Sequence, residues 1–288
     1  MKRLEFLSDL TCKKIVSSLL IGFLFMPVFS GNIYAEDASN QASILNKASD
    51  DTAMIGSPSE SSSSIFDAKT NSADSNGYVI GIDPGHQAES VDMSAMEENG
   101  PGSSEMKMKC TTGTEGSYTG LPEYELNLQI SLQLRDELES RGYSVVMTRT
   151  DNFTAISNKE RALYAAESGS DIYVRIHANG DDSHTVSGAL TMSPSASNPY
   201  VAALYDDSNR LSQVILDSYC EATGFRNLGI QYTDTMTGIN WSRVPVTILE
   251  MGFMSYESDD RQMADPEFQK TMVTGIANGI DAYFGIDR

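Results

Sequence analysis

Only three histidines stand among the 288 residues, and two of them close apolar runs. His86 ends Tyr78-Val-Ile-Gly-Ile-Asp-Pro-Gly-His86, where a β-branched stretch reads as a buried strand and Asp-Pro-Gly breaks it. His177 ends Ile172-Tyr-Val-Arg-Ile-His177, and Glu250 ends Val244-Pro-Val-Thr-Ile-Leu-Glu250. Strand ends of this kind line the ligand crevice of open α/β sheets. Glu123 opens a helical segment whose dipole favours a carboxylate at that end. Two imidazoles and one carboxylate make the three-ligand set of a catalytic zinc site with one position left open. Glu250 is then left over as a general base or acid. Each residue also has a bland reading: a turn histidine, a first-turn acid, a strand-end acid with a structural partner. Their convergence on one sheet edge favours the functional one.

The elements that must deliver these groups follow from periodicity. Residues 123–141 carry Leu126, Ile130, Leu134 and Leu138 four apart, widened by Leu128 and Leu132, and Gly142 ends the helix. Ser157-Asn-Lys-Glu160 is a capping box that opens a second helix to about residue 167. Helices are also predicted over 200–223, starting near Asn198-Pro199, and over 266–284. Strands are predicted over 143–148, 172–177, 186–192, 228–233 (a weak edge strand) and 244–250. Alternating strands and helices predict one α/β domain, with a central, mostly parallel sheet of about six strands covered by helices on both faces. Residues 87–122 are polar and aperiodic, and a structureless loop of that length suggests a lid or binding loop.

Charge and targeting bound the partners. The formal net charge is −20, which argues against nucleic acid and against adhesion to anionic lipid. Met1-Lys-Arg and Lys13-Lys14 lead into an apolar run over 15–29, short for a membrane span. Ile33-Tyr-Ala35 then offers a signal-peptidase site. Residues 1–35 are therefore expected to be a signal peptide, with an uncleaved interfacial anchor as the alternative, and 36–76 a flexible Ser/Ala/Asp-rich linker. The domain proper is expected over 77–288, in an exported, secreted or wall-associated protein without stable membrane insertion after cleavage. A monomer is expected. Of the cysteines beyond the leader, Cys110 and Cys220, the spacing does not specify a disulfide.

With these residues in view, the chain resembles the zinc-dependent N-acetylmuramoyl-L-alanine amidases that cut bacterial peptidoglycan. The matching stretches run in order across 78–288: Ile82-Asp-Pro-Gly-His86, Glu123-Tyr-Glu-Leu-Asn-Leu128, Gly142-Tyr-Ser-Val-Val-Met-Thr-Arg149, Glu160-Arg-Ala162, Ile176-His-Ala-Asn179 and Leu249-Glu-Met-Gly-Phe253. The resemblance implies that His86, Glu123 and His177 hold Zn²⁺ and that Glu250 is the catalytic glutamate. Glu125 falls outside the ligand set, since residues two apart on a helix point about 200° apart. It further implies that a metal-bound water attacks the amide between N-acetylmuramic acid and L-alanine, with peptidoglycan or muropeptides as substrate. The alternatives are a zinc carboxypeptidase or endopeptidase acting on the stem peptide, and a non-catalytic wall-binding regulator. The chain departs from the family's pattern in its long 87–122 loop, in the segment 233–241, and at Arg175, where a small residue is usual. Arg175 shares a strand face with His177, so it is expected either to orient stem-peptide carboxylates or to pair with Asp181 or Asp182. Trp241, the only tryptophan, is expected either to line the cleft or to pack for stability.

Overall fold

The structure is a computed structural model that describes residues 75–288. The expected signal peptide and nearly all of the expected linker lie outside the described residues. In chain order the elements are β1 (Val79–Pro84), β2 (Met96–Glu98), β3 (Met106–Met108), α1 (Glu123–Ser140), β4 (Ser144–Met147), α2 (Asn158–Glu167), β5 (Ile172–Asn179), β6 (Ala189–Ser193), α3 (Tyr205–Thr223), β7 (Asn227–Tyr232), α4 (Thr237–Asn240), β8 (Val246–Phe253), α5 (Glu257–Met263) and α6 (Pro266–Phe284). None of the described helices is long and apolar enough to cross a membrane.

Six strands form one sheet in the order β4-β1-β5-β8-β6-β7. All neighbours are parallel except β6, which runs antiparallel to β8. The central strands read as continuous apolar runs because both faces are covered. One face packs on α1, α3 and α6 through Leu126, Ile130, Leu134, Leu138, Ile215, Tyr219, Ile276 and Ile280, all fully buried. The other packs on α2 and α4 through Ala162, Ala165, Tyr173, Ile239 and Ile248. The chain leaves β1 through α1 to β4 on one side, then returns through α2 to β5 on the other. Helices moving in opposite directions from a parallel sheet lie on opposite faces and open a crevice at the switch point. Here that point is the gap between the C-terminal ends of β1 and β5.

The predicted α/β class, strand order of appearance and four long helical segments are all present. Capping follows the sequence signals: the Ser157 hydroxyl accepts from Glu160 N while Glu160 accepts from Ser157 N. Other details differ. The loop 87–122 is not structureless: β2 and β3 pair as an antiparallel ribbon, Met96 opposite Met108. Its anchors are polar and tertiary, so no apolar period announces it. Lys159 N donates to Glu97 Oε1, and Trp241 Nε1 donates to Glu98 O at 2.9 Å. The third long helix starts at Tyr205, not near residue 199, because Asn198 Oδ1 accepts from Tyr200 N and Val201 N and a 3₁₀ turn intervenes. Cys110 and Cys220 are both free thiols.

Candidate metal centre and its cleft

Three adjacent strands, β1, β5 and β8, bring their C-terminal ends to the crevice, with His177 opposite Glu250 in the β5–β8 register. His86, just past β1, has φ 63°, uncommon for a residue with a side chain and costing about 1–2 kcal/mol. Gly85 before it can only be glycine, because the His177 ring fills the space that a Cβ would occupy. The turn is clamped from beneath. Arg161 donates to Pro84 O, His86 O and Gln87 Oε1, and Arg149 donates to Pro84 O, Gly85 O and Tyr124 O. These bonds fix the first histidine to the first turn of α1, where Glu123 sits.

The donor atoms converge. His86 Nε2 lies 3.1 Å from Glu123 Oε1, His177 Nδ1 lies 3.2 Å from the same oxygen, and the two nitrogens are 3.2 Å apart. Among the described residues this is the one cluster of histidine, cysteine and acidic groups able to hold a metal ion. A tetrahedral ion with bonds of about 2.0–2.1 Å keeps its donors about 3.3 Å apart, so the triangle has the right size. His86 Nδ1 faces the Thr111 carbonyl at 2.8 Å, which can only accept, so Nδ1 carries the proton and Nε2 presents a lone pair. Two lone-pair nitrogens and a carboxylate oxygen at this spacing repel one another unless a positive charge sits among them. A proton shared with His86 answers the same repulsion. Burial opposes charge on His86, yet the Glu123 carboxylate pushes it up to about 10. Burial pushes His177 down to about 4. Burial would raise Glu123, but the charge of His86 and hydrogen bonds from both imidazoles hold it well below the usual carboxylate range.

Glu123 is oriented by groups that the sequence did not single out. Thr114 N donates to Oε2 at 2.9 Å, while Asn127 Nδ2 and Ala178 N each donate to Oε1 at 3.2 Å. Asn127 follows Glu123 by four residues, a helical spacing that puts both on one face and could have signalled it. Glu250 Oε2 is buried and has no hydrogen-bond partner among the described residues. Burial first, and the nearby Glu123 carboxylate second, push its carboxyl up to about 8.

His86, His177, Glu250 and Arg175 line one cleft of about 260 Å³, with Lys107, Met108, Met192 and Gly238 on its walls. Lys107 and Met108 come from the ribbon and carried no sequence signal. The partner of Arg175 is neither Asp181 nor Asp182: Nε donates to Asp83 Oδ2 at 2.8 Å and Nη2 to Asn158 Oδ1 at 2.8 Å. Asp83 also receives Arg161 at 2.7 Å, the Tyr173 hydroxyl and Thr148. The adjacent strand β1 presents Asp83 directly across from Arg175, whereas Asp181 lies beyond the end of β5 and accepts from Ser183. Trp241 is not among the cleft-lining residues. It packs beside α4 with Lys159 Nζ 3.8 Å over its ring, and its one donor anchors the ribbon.

Comparison with known proteins bears on this arrangement. A family model described as N-acetylmuramoyl-L-alanine amidase matches residues 80–282. LytC of Bacillus subtilis, named an N-acetylmuramoyl-L-alanine amidase, is 29% identical over 167 residues, which is 57% of this chain and 32% of that protein. Among solved structures, the amidase Ami1 from Mycobacterium smegmatis is 25% identical with a TM-score of 0.66, covering 73% of this chain and 97% of that one. The N-acetylmuramoyl-L-alanine amidase of Clostridium difficile 630 is 27% identical with a TM-score of 0.60, covering 73% and 98%.

Proposed function

The chain belongs to the N-acetylmuramoyl-L-alanine amidase family, and on that premise we propose that it hydrolyses the amide between N-acetylmuramic acid and L-alanine in peptidoglycan as a zinc enzyme. One observation carries the reading: the three donors of His86, Glu123 and His177 within 3.2 Å of one another, with Glu250 opposite His177 in the strand register. His86 Nε2, Glu123 Oε1 and His177 Nδ1 would hold the ion. A zinc ion bound there supplies Lewis acidity toward a carbonyl oxygen and toward water near neutral pH.

The chain's own residues do the rest. Thr111 O fixes the proton on His86 Nδ1, keeping Nε2 free as a donor atom. Thr114 N, Asn127 and Ala178 N hold the Glu123 carboxylate against rotation. Glu250 takes the proton from the attacking water and returns it to the leaving amine nitrogen. Burial raises the proton affinity of this carboxyl, which suits a group that takes up a proton and gives it back. The ribbon and β8 wall the cleft with Met108 and Ile248.

The test is product analysis after incubating the full chain with peptidoglycan, with and without chelator. Stem peptides with a new N-terminal alanine, lost on chelation, are expected. Stem peptides shortened at other bonds would mean a peptidase, and no release by zinc-loaded protein would mean a binding or regulatory protein.

We further read the protein as exported and monomeric, with 1–35 as a cleaved leader, 36–76 as a linker and 77–288 as the catalytic domain. The basic start, apolar run and Ile33-Tyr-Ala35 support this. N-terminal sequencing of the exported protein should then begin at Glu36.

A further inference from the structure

Arg175 is 3% exposed, yet it lines the cleft beside the metal-donor cluster. Its Nε and Nη2 are committed to Asp83 and Asn158, while Nη1 has no hydrogen-bond partner among the described residues. The wall above Nη1 is backbone only: any side chain at Gly238 would collide with this nitrogen. The charge beneath is not balanced. Arg161 and Arg175 share the single carboxylate of Asp83, and Asp83's other partners, Thr148 and Tyr173, are neutral. Glu250 lines the same cleft but hydrogen-bonds neither guanidinium. At the rim Lys107 adds a second cation, its Nζ 2.7 Å from Thr235 O and 3.4 Å from Glu105 Oε1. In a chain of net charge −20, this cleft is lined by two cations, Lys107 and Arg175, and one acid, Glu250.

A buried guanidinium with an open edge calls for an acceptor, and its planar N–H groups suit a carboxylate above all. We propose that Arg175, with Lys107 at the rim, forms a carboxylate subsite that selects stem peptides with free carboxylates over amidated ones. This rests on peptidoglycan being the substrate and adds which chemical form of the stem is taken. Asp83 and Asn158 hold the guanidinium in place, so little side-chain entropy is lost when the carboxylate arrives.

Binding and hydrolysis can be read separately. The full chain is titrated calorimetrically with a stem peptide lacking the muramyl group, which has no lactyl-amide bond to cut, once with free and once with amidated carboxylates. The free form should bind at least about tenfold more tightly, with the ratio shrinking as salt rises. Arg175→Lys keeps a cation for Asp83 but loses the fork, and should remove most of the ratio while melting near wild type. If that variant fails to fold, Lys107→Gln, a change at a partly exposed side chain, should still lower the ratio by about two- to threefold. Equal affinity of the unaltered protein for the two peptides overturns the subsite, whatever the variants do. Release of stem peptides with a free N-terminal alanine from muramyl peptides, run in parallel, reports on the amidase reading alone. Failure there with the binding preference intact leaves the carboxylate subsite standing.

Discussion

Two buried carboxyls share one site, and their surroundings push them apart. Glu123 is held ionised by the imidazoles and by three N–H donors. Among the described residues Glu250 has no donor on Oε2, and it is pushed toward its protonated form. Such divergence supports the proposed division, with one acid holding charge and the other moving protons. Glu250→Gln should therefore retain zinc, measured by metal analysis, while hydrolysis falls about 10²–10⁴-fold; wild-type turnover in that variant would remove Glu250 from the reaction. His177→Ala should instead lose most of the metal, because three protein donors leave none to spare. Asn127→Ala, which deletes one bond to Glu123 Oε1 but leaves all three donor side chains in place, should weaken zinc about 10–100-fold while leaving the fold intact. Unchanged zinc affinity would make Asn127 a packing residue only.

At the scale of elements, the turn after β1 is held as much by the ion cluster beneath it as by its own Asp-Pro-Gly sequence. Burial would push Asp83 up, but Arg161 and Arg175 hold it well below the usual carboxylate range. A carboxyl with a depressed folded-state pKa contributes stability that is present above its unfolded value, about 3.9, and is lost as pH falls below it. Melting temperature should thus drop steeply below about pH 4. Asp83→Asn, leaving two buried guanidinium groups without their anion, should cost about 3–5 kcal/mol at neutral pH and flatten that acid limb. A variant with the wild-type acid profile would show that other carboxyls govern it. Strands and long helices were legible because apolar periodicity reports burial directly, and the cluster of His86, Glu123 and His177 was legible because each closes or opens such a run. The ion cluster was not: Arg149 and Arg161 act through tertiary contacts that no periodicity encodes. The β2–β3 ribbon escaped for the same reason, and with it Lys107, Met108 and the true role of Trp241 as its anchor.

At the scale of the whole molecule, the charge distribution has two opposed consequences for encounter. The chain as a whole is acidic, with a sequence pI of about 4.4, so an anionic polymer wall repels it at long range. The cleft is lined by Arg175 and Lys107, so a small anionic stem peptide is attracted once it is near. Long-range repulsion is screened over a Debye length of about 10 Å at 0.1 M salt, whereas a buried contact is screened far less. Salt should then act oppositely on the two kinds of substrate. Raising NaCl from about 20 mM to about 200 mM should speed hydrolysis of intact anionic walls, because repulsion at encounter is relieved. The same change should leave kcat on soluble muramyl peptides unaltered and raise their KM modestly. Initial rates on both substrates across that salt series measure the effect. A parallel response of walls and soluble peptides would mean that net charge plays no part in how this protein meets its substrate.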